Sequence, residues 1–504
     1  MNLSNSAYRA LEDTYRRLHR FEHLRAIVWW DQASNMPPGG NTARGVALAE
    51  LAALLHRMRT DPELGARIEA AEAEALSELE RANLREIRRD WRLATALPEA
   101  LVERRELAVS RCEHAWRQQR PANDWRGFLE NFRPVLAIAR EQADRLSQVT
   151  GLMPYDAMMD QYEPGMTSAQ LEQIFGELRS WLPGLIAAAR ERQARETVIE
   201  PRGPFSVAAQ RQLCERVMRE LGFDFAAGRL DVSAHPFCGG VPEDVRVTTR
   251  FFERDFLTSL MGTIHETGHA RYEQNLPRDL LGQPVAVARS MAIHESQSLA
   301  FEMQLGRHPG FVAWLAPLVR ETFGAQPAFE ADNLHRLITR VKPGFIRVDA
   351  DEATYPAHII LRFEIERALI ERALEAEDIP AAWDASMAEL LGLDTRGNYT
   401  DGPLQDVHWP EGLFGYFPCY SLGAMYAAQW FAAIRRGHVD LDGRIAAGDF
   451  APVFDWLRER IWLNASRYPT AELVERATGG PLDPGWFRAH LETRYLGRAA
   501  PSDE

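Results

Sequence analysis

Residues 265–269 read HETGH and place two histidines and a glutamate at a spacing that suits metal chemistry. On a helix, residues four apart lie on one face, so the imidazoles of His265 and His269 can bind one ion while Glu266 reaches a water molecule on that ion. Gly268 weakens such a helix by about 1 kcal/mol relative to alanine, and we interpret it as a place where another backbone or a substrate passes close by. The motif therefore predicts a catalytic metal site.

A catalytic zinc site needs a third protein ligand and an open position for water. The pattern HExxHxxGxxH would require glycine at 272 and histidine at 275, but Tyr272 and Asn275 stand there, so that arrangement is excluded. The segment 291–302 is typical of a second helix, and its Glu295 is the predicted third ligand. Glu302, two turns further along the same face, and His294, the neighbour of Glu295, remain alternatives at this point.

The predicted reaction is metal-assisted hydrolysis of an amide bond. The ion lowers the pKa of its water toward about 7, Glu266 removes a proton, and the hydroxide attacks a polarised carbonyl. Glu266 then returns the proton to the leaving amine. The alternative from a different class is a helical binding scaffold with a structural metal. Such a site closes its fourth position and has no use for a carboxylate beside an open one, so Glu266 favours catalysis.

Helices must position these residues, because apolar side chains recur every three or four positions in much of the chain. The first stripe is typical of an amphipathic helix and consists of Tyr8, Leu11, Tyr15, Leu18, Phe21 and Leu24. The segment 245–251 (VRVTTRF) alternates, is rich in β-branched residues and predicts a strand just before HETGH. We therefore expect a mainly α fold, with one catalytic domain over residues 1–504, two lobes around a cleft and a small β-element.

The composition argues against several classes of partner. The 72 acidic residues outnumber the 58 basic ones, and the net charge of -14 argues against a nucleic acid or an anionic membrane as partner. The sequence shows neither a secretory signal nor a run of about 18 apolar residues, so it predicts a cytoplasmic location. The four cysteines form no CxxC pair and predict reduced thiols, not disulfides or a thiolate zinc site.

Several short motifs occur in a fixed order along the chain. They are His235–Phe237 (HPF), Asp244–Thr248 (DVRVT), the HETGH motif, His294–Gln297 (HESQ), Ile346–Asp351 (IRVDAD) and Gly402–Trp409 (GPLQDVHW). With these motifs the sequence resembles the carboxypeptidase Taq family of metallocarboxypeptidases, and the segments 29–38 and 415–420 extend the resemblance to nearly the whole chain.

The resemblance implies properties that the composition does not show. It implies a largely helical fold with a long substrate groove, a homodimer, and zinc or cobalt as the metal. It implies stepwise removal of C-terminal residues from peptides with a free C-terminus. It also identifies Glu295 as the third metal ligand.

Two arginines are candidates for binding the substrate. A carboxypeptidase must neutralise the terminal carboxylate of its substrate, which a guanidinium does with two parallel hydrogen bonds. The resemblance places Arg347 at the substrate end of the cleft, and the alternative is an internal ion pair with Asp349 or Asp351. Arg246, on the predicted strand, is expected to bind the substrate backbone or to limit peptide length, with a salt bridge to Asp244 as the alternative.

Two further residues are candidates for stabilising the negative charge on the attacked oxygen. They are His408 and Tyr420, of which the resemblance favours Tyr420. Each of them is also typical of a packed ring with a satisfied polar tip. We interpret His235 as a loop-fixing residue, and Cys238 and Cys419 as buried inert thiols.

Among zinc peptidases, the nearest alternative is an oligopeptidase or dipeptidyl carboxypeptidase of similar helical architecture. Such an enzyme would use the same HExxH motif and a downstream glutamate. A zinc aminopeptidase is disfavoured, because the GxMEN-type sequence that holds a free amine is missing. The segment Gly423–Ala427 only echoes it, on the wrong side of HExxH.

Overall fold

The computed structural model describes residues 6–233 and 235–498, except for the side chain of Pro38. The fold is mainly helical with one small sheet, so the predicted fold class is confirmed. Within these described ranges, no helix is both long and apolar enough to cross a membrane.

The helices are numbered in chain order. The first ten are α1 Ala7–Ser34, α2 Asn41–Arg59, α3 Pro62–Glu72, α4 Glu78–Ala96, α5 Glu99–Gln119, α6 Trp125–Thr150, α7 Pro154–Met159, α8 Ser168–Gln193, α9 Val207–Glu220 and α10 Leu257–Gln274. The remainder are α11 Met291–Leu299, α12 Pro309–Phe323, α13 Ala331–Ile338, α14 Tyr355–Ile370, α15 Ile379–Leu391, α16 Pro418–Gly437, α17 Leu441–Ala446, α18 Ala451–Arg460, α19 Thr470–Thr478 and α20 Gly485–Leu491. Two of the described segments are π-helical, Ala300–Gly306 and Glu492–Leu496.

The chain packs into two compact units, each assembled from three segments. Unit 1 contains the residues up to Ala94 together with Thr197–Thr339 and Gly423–Asp483. Unit 2 contains Thr95–Glu196, Arg340–Leu422 and the chain from Pro484 onward. Because both units combine distant segments, neither corresponds to a contiguous piece of sequence. The assignment of residues 1–504 to a single catalytic domain, with a groove between lobes, stays a prediction.

Unit 1 begins with the helix that the sequence predicted over residues 8–24. The side chain of Ser6 accepts a hydrogen bond from the backbone N–H of Arg9 and caps the first turn of α1. Four members of the apolar stripe, Tyr8, Leu11, Tyr15 and Leu18, are buried against side chains of α2, α3 and α4. Leu24 is 57% exposed. The N-terminal part of the stripe therefore faces the core, whereas its C-terminal end faces solvent.

The predicted strand is present but ends earlier than the sequence suggested. The sheet consists of β1 Gly228–Val232, β2 Phe237–Val241 and β3 Asp244–Thr249, in the order β1-β3-β2, with β1 parallel and β2 antiparallel to β3. Residues 250 and 251, which the sequence pattern placed in the strand, lie outside β3. There the chain turns through a bridge between Phe252 and Asp255 and enters α10. The sheet thus leads directly into the helix that carries HETGH.

Candidate metal centre and active site

Helix α10 presents the two histidines of the motif from one face. The helix starts after Asp255, whose carboxylate accepts hydrogen bonds from the backbone N–H groups of Leu257 and Thr258. These bonds satisfy N–H groups of the first turn that have no partner within the helix. The rings of His265 and His269 lie one turn apart, with their centroids 5.1 Å from each other. The local geometry is therefore the one expected from the four-residue spacing.

Glu295, on helix α11, completes a group of three side chains that can hold a metal ion. The ligand atoms of His265, His269 and Glu295 all lie within 4.8 Å of one another. Nε2 of His265 lies 3.8 Å from Oε1 of Glu295, and Nε2 of His269 lies 3.4 Å from Oε2 of the same carboxylate. The structure thus brings the three predicted ligands together from two helices.

The separations within this group suit an ion better than they suit hydrogen bonds. A hydrogen bond between nitrogen and oxygen brings the two atoms to about 2.7–3.2 Å. Two ligand atoms that each lie about 2.0–2.1 Å from a tetrahedral ion are roughly 3.3–3.4 Å apart. Two imidazoles and one carboxylate also form a ligand set found in catalytic zinc sites. The residues therefore fit a divalent ion of the zinc type.

The two alternative third ligands have other partners. Nε2 of His294 lies 2.8 Å from the carboxylate of Glu273, and the backbone oxygen of His294 lies 3.1 Å from Nδ1 of His269. Oε2 of Glu302 lies 2.8 Å from Nδ1 of His265, the ring nitrogen that does not belong to the ligand group. The geometry therefore favours Glu295 over both alternatives as the third ligand.

Two glycines allow helix α11 to lie close to its neighbours. A Cβ atom at Gly268 of α10 would lie 2.4 Å from the backbone oxygen of Gln297 and 2.6 Å from Cα of Ser298. A Cβ atom at Gly423 of α16 would lie 2.8 Å from Cβ of Glu295. The interpretation of Gly268 as a close approach is confirmed, and the approaching backbone belongs to the helix that carries Glu295.

Burial and neighbouring carboxylates set the charges of the cluster. Burial raises the pKa of Glu266, which is 7% exposed, to about 7. Burial lowers the pKa of His269 to about 4. At His265 the effect of burial is outweighed by the hydrogen bond to Glu302 and by the carboxylates of Glu295 and Glu266, which raise its pKa to about 10. The three carboxylates around His265 therefore stabilise a positive charge at this point, and a bound cation supplies that charge in place of the ring proton.

The remaining candidates around the motif lie outside the ligand group of the described residues. His235 is exposed, and its backbone oxygen accepts a hydrogen bond from the hydroxyl of Ser233. Cys238 is half-buried, so the prediction of full burial was wrong for this residue. Its surroundings still raise the pKa of the thiol well above its usual value, chiefly through desolvation, so it stays protonated. Cys419 is buried. These observations agree with a structural role for the loop at His235 and with unreactive thiols.

In unit 2, Arg347 lies in a buried charge cluster around Asp406. Nε and Nη2 of Arg347 lie 2.9 and 2.8 Å from Oδ1 of Asp406, and Nη1 donates to the hydroxyl of Tyr355 at 2.5 Å. Arg362 approaches Oδ2 of the same carboxylate, with its Nε at 2.7 Å and its Nη2 at 2.6 Å. The ion-pair partner of Arg347 is therefore Asp406, and not one of the two aspartates of its own motif that the sequence suggested.

This cluster holds two guanidinium groups around one carboxylate. Although burial opposes ionisation of Asp406, the charges of Arg347 and Arg362 hold the pKa of Asp406 well below its usual range. Each terminal nitrogen of Arg347 keeps one hydrogen that these bonds do not use. The side chain of Arg347 is only 6% exposed, and its guanidinium lies 4.8 Å from the centre of the Tyr420 ring. The three charged side chains thus carry an excess of positive charge and spare donors.

The two candidate oxyanion donors are hydrogen-bonded to each other. Nε2 of His408 lies 3.1 Å from the hydroxyl oxygen of Tyr420, in the first turn of α16. Burial, together with the charge of Arg347, lowers the pKa of His408 to about 3, so its imidazole is neutral. Nδ1 of His408 is buried and has no hydrogen-bond partner among the described residues. An unpaired lone pair is better tolerated there than an unpaired N–H, so the proton belongs on Nε2 and is donated to Tyr420.

Arg246 forms the ion pair that was the alternative to a substrate contact. Its Nε and Nη2 each lie 2.6 Å from an oxygen of Asp244. The guanidinium also lies 4.5 Å from the centre of the Trp30 ring. This pairing occupies two of the three guanidinium nitrogens and leaves Nη1 for another acceptor.

Sequence reasoning missed the residues that hold Arg347 in place. Asp406 belongs to the GPLQDVHW motif, but nothing in the sequence connects it to Arg347. Tyr355 and Arg362 lie seven residues apart on α14, hence on one face of that helix. That spacing was the only available signal, and it did not identify their partner.

Comparisons with known proteins identify the family of this chain. The sequence profile of a family described as carboxypeptidase Taq (M32) metallopeptidase matches residues 10–495. Thermostable carboxypeptidase 1 of Thermus thermophilus is 40% identical over 502 residues, which cover 97% of this chain and 98% of the relative. Metallocarboxypeptidase 1 of Trypanosoma cruzi superimposes with a TM-score of 0.95 and 48% identity, over 97% of this chain and 99% of that one. The M32 carboxypeptidase of Deinococcus radiodurans R1 superimposes with a TM-score of 0.91 and 33% identity, over 98% and 99% of the two chains. The chain belongs to the carboxypeptidase Taq (M32) family of metallopeptidases.

Proposed function

We propose that this protein is a metal-dependent carboxypeptidase that removes residues one at a time from the free C-terminus of peptides. The observation that carries the proposal is the convergence of His265, His269 and Glu295 beside the buried Glu266. Membership of a metallopeptidase family supports the same chemistry. Zinc is the ion that this donor set favours, and cobalt is the second candidate.

A divalent ion held by these three side chains would supply Lewis-acid activation of a water molecule and of the peptide carbonyl. Glu266 accepts the proton of the attacking water and delivers it to the leaving nitrogen. Because Glu266 follows His265 directly on α10, the base is held on the same rigid helix as two of the ligands. The acid–base step therefore depends on this one carboxylate.

Tyr420 is our proposed donor to the negative charge that develops on the attacked oxygen, and His408 is its positioning partner. The support is the hydrogen bond between them. With the His408 proton on Nε2, the oxygen of Tyr420 accepts that bond and its own O–H is directed to another acceptor. A donor held in this way needs little rearrangement as the charge forms.

Arg347 is our proposed clamp for the terminal carboxylate of the substrate. Its two unused hydrogens sit on the two terminal nitrogens, the pair that a guanidinium presents to a carboxylate in a bidentate contact. Asp406 and Tyr355 hold the group in one orientation before any substrate arrives. For Arg246 we propose a contact from Nη1 to the substrate backbone, with Asp244 fixing the rest of the side chain.

The proposal is tested by digesting one peptide in two forms, with a free and with an amidated C-terminus, and by following the products with mass spectrometry. We expect a ladder of single-residue losses from the free acid only, and no products after the metal is removed with a chelator. Release of dipeptides, or internal cleavage of both forms, would favour a dipeptidyl carboxypeptidase or an oligopeptidase. Full turnover by metal-free protein would reject metal catalysis.

Replacing Arg347 tests the clamp on a single side chain. Arg347→Ala should lower kcat/KM for free-acid peptides by roughly tenfold to a thousandfold, the equivalent of about 1.5–4 kcal/mol for a charge-assisted bidentate contact. Amidated peptides, which are poor substrates from the start, should lose little more. Arg347→Lys should restore only part of the rate, because a point charge does not reproduce the planar fork. Equal losses on both peptides would reject the clamp.

We also propose that the protein forms a homodimer, as the family resemblance implies. Light scattering on the purified protein should give the mass of two chains. The mass of one chain at working concentrations would reject this proposal without affecting the proposed chemistry.

A further inference from the structure

The two imidazoles of the ligand group are held differently at the ring nitrogen that faces away from Glu295. Nδ1 of His269 lies 3.1 Å from a neutral backbone oxygen, that of His294. Nδ1 of His265 lies 2.8 Å from a carboxylate oxygen of Glu302. One histidine therefore has a neutral acceptor behind it and the other a charged one.

The charged acceptor determines which nitrogen of His265 keeps a lone pair. A histidine that binds a metal ion is neutral and carries one N–H, and a carboxylate can only accept a hydrogen bond. The hydrogen must therefore lie on Nδ1, and the lone pair of Nε2 points toward the ligand group, where Glu295 lies 3.8 Å away. Hydrogen bonds of this type fix the ring orientation and the basicity of metal-binding histidines.

Both oxygens of Glu302 are engaged, so the carboxylate cannot rotate freely. Oε1 lies 2.7 Å from Nη1 of Arg307, and Nε of Arg307 donates to the backbone oxygen of Ile338 at 3.2 Å. Arg307 also offsets the negative charge, so Glu302 orients His265 without adding net charge.

A π-helical segment brings Glu302 to this position. Helix α11 ends at Leu299, and the chain continues as the π-helix Ala300–Gly306. A Cβ atom at Gly306 would lie 3.4 Å from Cγ2 of Ile264, so this segment packs directly on α10 beside His265. One continuous stretch thus supplies both Glu295, on the Nε2 side of the ring, and Glu302, on the Nδ1 side. Interruptions of this kind are frequent at functional sites.

We propose that Glu302, held by Arg307, is a positioning residue of the metal centre that fixes the tautomer and the orientation of His265. The proposal rests on the proposed function, because it assumes that His265 binds the ion through Nε2. It differs from a role as a ligand, since the Glu302 contact is made to the nitrogen on the far side of the ring. It also differs from a purely structural role, since it predicts an effect on metal binding itself.

The test measures metal affinity, not activity. Zn²⁺ affinity of the metal-free protein is determined by competition with a chromophoric chelator, and the visible absorption spectrum of the Co²⁺-loaded protein reports the coordination geometry. Glu302→Ala should weaken Zn²⁺ binding by roughly tenfold to a hundredfold, the range for loss of such an outer contact, and should change the Co²⁺ spectrum. Glu302→Gln keeps a neutral acceptor and should lose less.

Asp442, which is more exposed than Glu302, supplies a control with the same kinds of partner. Its carboxylate also accepts contacts from one histidine and one arginine, His308 Nε2 at 3.1 Å and Arg435 Nη1 at 2.5 Å, but His308 is not part of the ligand group. Asp442→Asn should therefore leave the Zn²⁺ affinity and the Co²⁺ spectrum as in the unmodified protein. A loss equal to that of Glu302→Ala would overturn the proposal, because any broken carboxylate pair would then suffice.

The remaining outcomes separate this proposal from the proposed function. Unchanged affinity and spectrum in a folded Glu302→Ala variant overturn the positioning role and leave metal catalysis intact. If His265→Ala binds Zn²⁺ as tightly as the unmodified protein, the ligand assignment itself fails. If circular dichroism shows that Glu302→Ala does not fold, Arg307→Gln decides, since it frees the carboxylate without removing it. It should weaken Zn²⁺ binding severalfold, and unchanged affinity there also overturns the proposal.

Discussion

Among the described residues, the metal-ligand group and the cluster around Asp406 arrange their buried charges in opposite ways. In unit 1 the ligand atoms of His265, His269 and Glu295 converge, but the carboxylate lies 3.4 and 3.8 Å from the two nitrogens, too far for hydrogen bonds. In unit 2 the carboxylate of Asp406 lies 2.6–2.9 Å from nitrogens of two arginines, within hydrogen-bonding distance. The ligand atoms of the first cluster need a cation to bring them together. In the second cluster the arginines and the carboxylate bind each other directly, and some N–H groups of Arg347 remain unused.

This difference separates the functions of the residues in each cluster. Removing a residue of the first cluster should change metal binding or turnover more than folding, because an external ion completes that cluster. Removing the central carboxylate of the second should first cost stability, because it leaves two guanidinium groups buried without their counter-charge. Function in the second cluster should depend on the donors that Asp406 leaves unused.

The largest expected effect is on turnover, at Glu266. Glu266→Gln should lower kcat by roughly a hundredfold to ten-thousandfold, because an amide cannot accept the proton of the attacking water. The metal content of this variant, measured by elemental mass spectrometry, should equal that of the unmodified protein. His265→Ala and Glu295→Ala should instead lose metal. A Glu266→Gln variant with normal kcat would place the general base elsewhere.

The next effect is on stability, at Asp406. Asp406→Asn should lower the free energy of unfolding by about 3–5 kcal/mol, the usual cost of leaving buried charges unpaired. Urea titration followed by circular dichroism measures this loss. The control is Asp394→Asn, which breaks an exposed pair with Arg396 and should leave the unfolding midpoint unchanged. Similar midpoints for the two variants would mean that the Arg347–Asp406–Arg362 cluster is not held together by its carboxylate.

Replacing Tyr420 tests whether its hydroxyl takes part in the reaction. Tyr420→Phe should lower kcat by up to roughly a hundredfold to a thousandfold with little change in KM, because a donor to the developing charge acts in the transition state. Tyr416→Phe, which removes the hydroxyl of a ring packed 5.4 Å from that of Tyr420, is the control. An unchanged kcat in Tyr420→Phe would show that the Tyr420 hydroxyl does not take part in catalysis.

The smallest effect distinguishes two glycines of the same helix. A methyl group at Gly268 would press on the backbone of α11, so Gly268→Ala should cost about 1–3 kcal/mol and weaken metal binding by displacing Glu295. A Cβ atom at Gly262 meets no atom within 4 Å, and Gly262→Ala should stabilise the helix by up to about 1 kcal/mol. Thermal unfolding of both variants measures the difference. Equal shifts would show that α10 and α11 can separate without cost.

The features that the sequence by itself determined are local ones. The spacing of HETGH was enough to place His265 and His269 one turn apart, because a four-residue separation on a helix has only one geometry. Periodicity likewise predicted the buried part of α1 and the strand β3, because each has a regular local geometry. It did not predict where α1 stops facing the core, or where β3 ends. The family motifs then selected Glu295, and the structure brings it to the two histidines.

Only the tertiary structure decided how these residues are supported. Glu302 is 37 residues from His265 and Asp406 is 59 residues from Arg347, and no periodic pattern connects positions so far apart. Spacing alone gave Glu295 only a modest lead over Glu302 as the third ligand. In the structure, what separates the two carboxylates is the ring nitrogen of His265 that each one faces. That choice depends on the backbone contact at Gly268 and on the path of the π-helix, which arise from packing and not from the order of residues.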